Sequence, residues 1–281
     1  MRAARDRDWL GGLSGAAAVL SGGAFLTLMG FLLIDALPAL QLDFLLSPST
    51  SRLPDGTGIG PAVVGSAWIL LIAAALALPV GIGTAVYLEE YARRRRTATA
   101  VGRALDGLAA VPPVVHGVVG LAVFVRALGM GATILAGGCT LATLALPAVV
   151  STAREALRSV SPEVRLAAYS LGATKWQVVR RELLPTAAPS LVAGSCLTLS
   201  RAIGEAAPLL VLGAVSFITF VPAAPGDPLV SLPTQVFAWT TRAHADFAAL
   251  AAAASVALLA AMVGLRLAGA VLGRALQRSA R

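Results

Sequence analysis

The sequence predicts an all-α polytopic protein that crosses a membrane about six times. Three observations carry this. The 281 residues are 57% hydrophobic and only 13% charged, with a mean hydropathy of +0.82, whereas a soluble domain carries about 25% charge. The apolar residues gather into segments near the ~20 residues that a helix needs to cross a bilayer. The 22 Lys and Arg exceed the 14 Asp and Glu, giving a net charge of +8, and they cluster at segment ends. That clustering follows the positive-inside pattern of membrane proteins and explains the charge better than nucleic-acid binding does.

The chain opens on a short charged stretch, MRAARDRD. A first span, about Trp9 to Leu37, is too long for a signal-peptide core and is read as retained. Pro, Gly and Ser then dominate up to Gly60, with Asp35, Asp43 and Asp55 against Arg52, as expected of an external loop. The second span runs about Pro61 to Leu88, interrupted late by Pro79, Gly81 and Gly83. The run EEYARRRR follows, with Arg93 to Arg96 and then Arg103, and marks a cytoplasmic side. The third span, about Leu105 to Leu128, contains Pro112-Pro113, which implies a kink or break. Its His116 is either a hydrogen-bonded packing residue or a group on a transport path. A turn through Arg126 leads to the fourth span, about Ala132 to Thr152. After a polar stretch, the fifth span covers about Pro189 to Val215. Residues 216–246 hold four prolines and little charge and read as external, with a dip into the membrane as the other possibility. The sixth span, about Phe247 to Leu265, ends at Arg266. Cys139 and Cys196 both lie in apolar segments as small packing residues, with no disulfide or metal spacing. Basic residues fall almost wholly on one side, so both termini are expected in the cytoplasm.

The polar stretch 154–186 organises the rest. Ser161-Pro162 starts a short helix, with Pro in the first turn where its missing N–H costs nothing. Val164, Ala167, Ala168 and Leu171 give it an apolar face at helical spacing. Gly172 stops it in the left-handed C-terminal role, and Thr174 caps a second helix. Trp176, Val179 and Leu183 line that helix until Pro185 ends it. A basic helix–Gly–helix loop with an apolar face must bury that face, on its own bundle or on a partner. Ala167-Ala168, Gly172 and then Leu184-Pro185 resemble the "EAA" loop of ABC-importer permeases, and the run LGATKWQVVRRELLPTAAPSLV resembles the phosphate-specific, PstA-type branch. Leu166 stands where that family usually has Glu, and Glu182 where it usually has an aliphatic residue.

The fifth span carries Arg201 and Glu205 inside apolar sequence. Spaced i, i+4, they share one face of the helix, and no other cation stands inside the central spans. Pro208 cannot donate to the carbonyl of Gly204, which is freed beside Glu205. One reading is a self-neutralising pair that orients the helix. The other is the lining of an anion path, in which the planar guanidinium fork of Arg201 suits phosphate oxygens and Glu205 holds Arg201 in place. The run SRAIGEAAPLL resembles the phosphate-permease signature, as does GIGPAVVGSAWIL at the second span.

The resemblance implies a type I ABC-importer permease with three parts: an N-terminal tail, first helix and external loop at 1–57, a permease core at 58–272, and a cytoplasmic tail at 273–281. It implies an inner-membrane transport subunit for inorganic phosphate that performs no chemistry itself and binds no cofactor. ATP would be bound by a dimeric partner ATPase, which docks on Ala167, Ala168, Gly172, Ala173, Thr174, Leu184 and Pro185. It also implies a homologous second permease and an external phosphate-binding protein. A permease for sulfate or molybdate is the alternative. The sequence has no GxxxxGK[ST] loop and too few groups at depth for an intramembrane enzyme. A secondary transporter would not need the coupling loop.

Overall fold

A computed structural model describes residues 2–47, 56–92, 96–215, 217–244 and 246–279. Arg52, Asp55, Arg93, Arg94, Arg95 and Arg281 lie outside the described residues, as do the side chains of Arg2, Arg5 and Arg7.

The described residues form helices in the order α1 (Arg2–Ala36), α2 (Leu42–Leu46), α3 (Gly60–Val86), α4 (Arg96–Ala110), α5 (Pro113–Gly120), α6 (Ile134–Arg158), α7 (Pro162–Ser170), α8 (Lys175–Val178), α9 (Leu184–Ala202), α10 (Ala207–Val211), α11 (Leu232–Thr240) and α12 (Asp246–Ser279). Single π-helical turns extend α3 through Tyr87–Tyr91, extend α5 through Leu121–Ala127, and join α8 to α9 through Val179–Leu183. Among the described residues five helices are long and apolar enough to cross a bilayer, and the count is six where the bent pair of α4 and α5 is taken as one span.

That pair corrects the third span. The helix does not run from Leu105: α4 and α5 are separate, bent by 101° at Val111-Pro112. Pro112 adopts an extended backbone (ψ 143°), since Pro113 disfavours helical geometry in the residue before it. The α4 helix lies across the bundle, with Ala98, Val101 and Leu105 half-buried against the end that carries the arginine runs. We call this the basic end.

Small residues let the long helices approach closely, the usual device where lipid removes the hydrophobic drive between helices. The Cβ of an alanine at Gly138 would sit 2.6 Å from Ile72 Cβ, and one at Gly81 would sit 2.6 Å from Val149 Cγ1. These contacts keep a near-constant offset, so α3 and α6 run parallel. Along α9 and α12 the matching contacts are Gly273 on Pro189, Gly269 on Cys196, and Gly204 on Met262. Those two helices are antiparallel. α12 continues without a break to Ser279. The sixth helix therefore does not stop at Leu265, and the boundary at 272–273 falls inside it.

Among the described residues three apolar clusters stack along the bundle. One at the end opposite the arginines joins Ala36, Phe44, Ile59, Trp239 and Phe247. A middle one joins Ile69, Ala73, Leu141, Leu209 and Leu229. The third, at the basic end, joins Val86, Leu157, Val178, Val179 and Leu183. The segment read as an external loop contributes the buried helix α11 to the first cluster. Ser231 and Thr234 cap it reciprocally, and Leu232 N donates to Ser66 Oγ at 2.8 Å.

Candidate functional site

Among the described residues, charged side chains gather at the basic end of the bundle and at mid-depth. At the basic end, Ser161 caps α7 by accepting from Glu163 N, and Pro162 occupies the first turn. Gly172 closes α7 with φ +80°, a left-handed conformation that costs other residues about 1–2 kcal/mol. Its N–H donates to Tyr169 O at 2.9 Å. Thr174 and Gln177 form a capping box at the start of α8. Lys175 Nζ stands over the Tyr91 ring at 5.2 Å.

The two expected apolar faces of this loop are split. Val164 and Ala168 turn inward, half-buried, with Ala173 beside them, while Ala167 is exposed and Leu171 is 89% exposed. The helix ends at Ser170, so Leu171 leaves the helical register (ψ 8°). In α8 the buried residues are Val178 and, just beyond, Val179 and Leu183, whereas Trp176 is 57% exposed. Pro185 does not end the second helix. It lies in the first turn of α9, after the π turn, where no N–H is required of it. Leu184 is half-buried and Pro185 exposed; Thr174 is exposed. Ala168, Leu171, Gly172, Ala173 and Arg181 line a shallow hollow on the outer face of the loop.

Two carboxylates that the sequence reading passed over hold this loop to the bundle. Arg154 Nε and Arg158 Nη2 both donate to Glu89 Oε1, at 2.7 and 2.8 Å. Arg165 Nε donates to Glu90 Oε1 at 3.1 Å, and its two Nη groups donate to the carbonyls of Val160 and Leu157, each at 2.9 Å. The side chains of Glu89 and Glu90 are 6% and 9% exposed. Arg154 and Arg158 therefore belong to the last turns of α6, not to a loop. Their i, i+4 spacing, opposite an acid pair at the end of a span, was the available signal. Burial pushes the Tyr169 hydroxyl up, with the Glu90 charge adding to it and Arg165 opposing.

At mid-depth the helix expected to carry Arg201 and Glu205 on one face is broken. α9 ends at Ala202; Gly204 N and Glu205 N donate to Arg201 O and Ala202 O, each at 3.1 Å, as tightened terminal turns. Glu205 lies in the break and α10 resumes at Ala207, with Pro208 packed on Gly117 of α5. The missing N–H of Pro208 accounts for the break. Among the described residues Arg201 and Glu205 share no ion pair. Arg201 is exposed on the same stripe of α9 as Leu197, and Glu205 is half-buried. An arginine at the bilayer centre costs at least ~2.5–3.5 kcal/mol, so it faces protein or water.

Arg201 has company. Arg266 was expected at the inner end of the sixth span, but its Nε donates to Ser200 Oγ at 3.0 Å. His116 is buried, with Nδ1 3.5 Å from Pro112 O and no partner for Nε2 among the described residues. Its neighbour Gly117 packs against Pro208 and Val211 of α10.

With that geometry established, comparison with known proteins identifies the fold's relatives. Residues 77–281 match the family described as "Binding-protein-dependent transport system inner membrane component". The chain belongs to that family. It is a multi-pass membrane permease of a binding-protein-dependent ABC importer, a class that works with an ATPase and a substrate-binding protein. It is 32% identical to the "Probable ABC transporter permease protein YqgI" of Bacillus subtilis over 71% of this chain and 67% of that protein. It is 36% identical to the "Phosphate transport system permease protein PstA 1" of Mycobacterium tuberculosis H37Rv over 68% of this chain, spanning 61% of that protein. In the solved MetNI methionine ABC transporter, a chain 19% identical superposes with a TM-score of 0.63, covering 76% of this chain and 94% of that one. That likeness confirms the importer-permease fold.

Proposed function

We propose that this permease carries inorganic phosphate into the cytoplasm, with Arg201 and Glu205 on the path of the anion. The observation that carries this reading is Arg201 itself. It is a guanidinium at the end of a broken helix, on an outward stripe of the bundle, with no carboxylate partner among the described residues. An unpaired cation at depth suits a passing anion, and the planar fork suits phosphate oxygens. The relatives named as phosphate permeases support the choice of substrate.

The outer face of the loop at Ala167, Ala168, Gly172, Ala173 and Thr174 receives the ATPase, with Leu184 and Pro185 beginning the rigid helix behind it. The exposed Leu171 and Trp176 support docking there: apolar residues at the apex of a basic loop are covered when a partner binds. ATP is bound by that partner, and this chain holds no cofactor of its own. Closure of the ATPase pulls the loop, and the ion pairs to Glu89 and Glu90 pass the movement to α3. A homologous second permease covers the outward stripe of α9. Both termini and the loop lie on the cytoplasmic side, a reading that the arginine distribution supports.

The test is phosphate uptake by the assembled complex in proteoliposomes, with sulfate and molybdate as competitors. Phosphate uptake that excess sulfate and molybdate leave unchanged supports the reading; uptake of either competitor in its place overturns it. Orientation is checked with single cysteines at Ser161 and Ala223, both exposed, after removal of Cys139 and Cys196. An impermeant thiol reagent added to intact cells reaches position 223 and spares 161; the reverse result refutes the topology.

A further inference from the structure

We infer that Arg266 is a second oxyanion-binding residue, held in place by Ser200 and acting beside Arg201. This rests on the reading of an anion path above and adds a contact to it.

Depth comes first. Gly194 of α9 packs on Thr152, in the half of α6 nearer the basic end. Ser200 stands about 9 Å further from that end at 1.5 Å per residue. It is therefore level with the middle of α6. Arg266 bonds to Ser200 and so lies at the same level. The neighbouring contacts agree, with Gly269 on Cys196 toward the basic end and Met262 on Gly204 away from it.

Bonding comes second. Ser200 is fully buried, and its hydroxyl donates to Leu197 O at 2.8 Å. The hydroxyl oxygen then accepts from Arg266 Nε. This occupies the inner edge of the guanidinium. The two Nη groups, which carry the remaining donors, have no hydrogen bond or ion pair among the described residues, although Arg266 as a whole is exposed. An Nη pair with Nε anchored is a bidentate fork presented outward, the geometry that matches two oxygens of a tetrahedral oxyanion.

Charge comes third. Arg201 follows Ser200 directly, so two guanidinium groups share this level, against one nearby acid in sequence, Glu205. At the basic end three arginines are held by two buried carboxylates. At mid-depth neither arginine has one. A pair of half-free guanidinium groups is a strained arrangement in apolar surroundings unless water or an anion completes it. The carried anion supplies that charge, with Arg266 and Arg201 each binding part of it.

The experiment uses the assembled complex in phosphatidylcholine vesicles, which contain no anionic lipid, with Cys139→Ser and Cys196→Ala as background. Arg266→Cys is expected to lower phosphate uptake about 10-fold while complex recovery stays near normal, the loss of one charge-assisted bidentate contact. Treatment with an amine-bearing methanethiosulfonate restores part of the uptake, and a neutral reagent of equal length does not. Inorganic phosphate slows the labelling about threefold or more, as an occupied site must, and chloride at equal ionic strength does not. Ser200→Ala raises KM several-fold with little change in maximal rate, as expected of a positioning residue. Uptake by Arg266→Cys within twofold of the background, equal rescue by both reagents, or labelling indifferent to phosphate overturns the inference. The outcome is separable from that of the reading it rests on. Normal uptake by Arg201→Gln refutes the Arg201 assignment, and transport of sulfate or molybdate alone refutes phosphate. In the latter case the Arg266 arms are scored with that anion.

Discussion

The basic end and the middle of this permease each gather arginines, and the two groups are built in opposite ways. Arg154, Arg158 and Arg165 converge on Glu89 and Glu90, whose side chains are almost fully buried. Arg165 spends its remaining donors on the carbonyls that end α6. Among the described residues the Arg266 guanidinium bonds a hydroxyl, and neither it nor Arg201 has a carboxylate partner. A paired arginine has its electrostatic demand met in the resting fold, so it holds elements together. An arginine left with free donors at depth is costly in the fold alone and gains most when an anion arrives. The contrast separates a mechanical linkage from a transport path within one bundle.

The sharpest test of the contrast is Arg201→Gln, which keeps rough size and hydrogen bonding and removes the charge. Uptake is expected to fall on the order of 100-fold, from the loss of a charge-assisted contact worth about 1.5–3 kcal/mol. Complex recovery stays near normal, and Arg201→Lys transports partially because it keeps charge without the fork. The double variant Arg201→Gln with Glu205→Gln stays inactive. If the neutral pair transports like wild type, normalised to purified complex, the mid-depth charges are a packing device.

Glu89→Ala is expected to act on the other side of the comparison. It leaves Arg154 and Arg158 beside a buried, uncompensated position. Removing one partner of a fully buried pair costs about 3–5 kcal/mol; both arginines here are partly exposed, so about 2 kcal/mol is expected after solvent screening. The readout is a lower melting temperature of the detergent-purified chain, with uptake per folded complex falling much less than for Arg201→Gln. A Glu89→Ala chain that melts like wild type removes the mechanical role of the pair.

A smaller effect is expected at Gly172. Nothing lies within 4 Å of the space a Cβ would take, so the cost is conformational, through φ +80° alone. Gly172→Ala should destabilise by about 1 kcal/mol. Gly172→Trp adds bulk to the outer hollow and should prevent ATPase recruitment while membrane insertion is unchanged. Cysteines at Ala173 or Thr174 should crosslink to the ATPase. Normal ATPase co-purification with Gly172→Trp, and no crosslink at either site, would show that the loop only packs on its own bundle.

The smallest effect concerns salt. The Glu90–Arg165 pair is largely buried, so thermal stability should change little between low and moderate ionic strength. Binding of the anion at mid-depth should respond more, because mobile ions screen its attraction to the two guanidinium groups. A steep loss of melting temperature with salt would mean that the basic-end pairs are exposed surface pairs after all.

Sequence by itself determined the fold class, five of the crossings, the basic loop and its punctuation. The reason is that these are local or compositional properties. Apolar length decides a span; a Ser-Pro start, a glycine with positive φ and a Thr capping box act within a few residues. The loop spelling and the SRAIGEAAPLL run also placed the chain in its family. What the tertiary structure decided was which charges meet. Glu89 and Arg154 are 65 residues apart in sequence, and Ser200 and Arg266 are 66 apart, so no local pattern pairs them. The depth of Arg266 depends on how far α12 slides along α9, which small residues at Cys196, Gly269 and Gly273 set. The break between Arg201 and Glu205 likewise depends on Pro208 seating against Gly117 of another helix. Periodicity assigns faces to an ideal helix, but the pairing of buried charges follows from the register between helices, which only packing fixes.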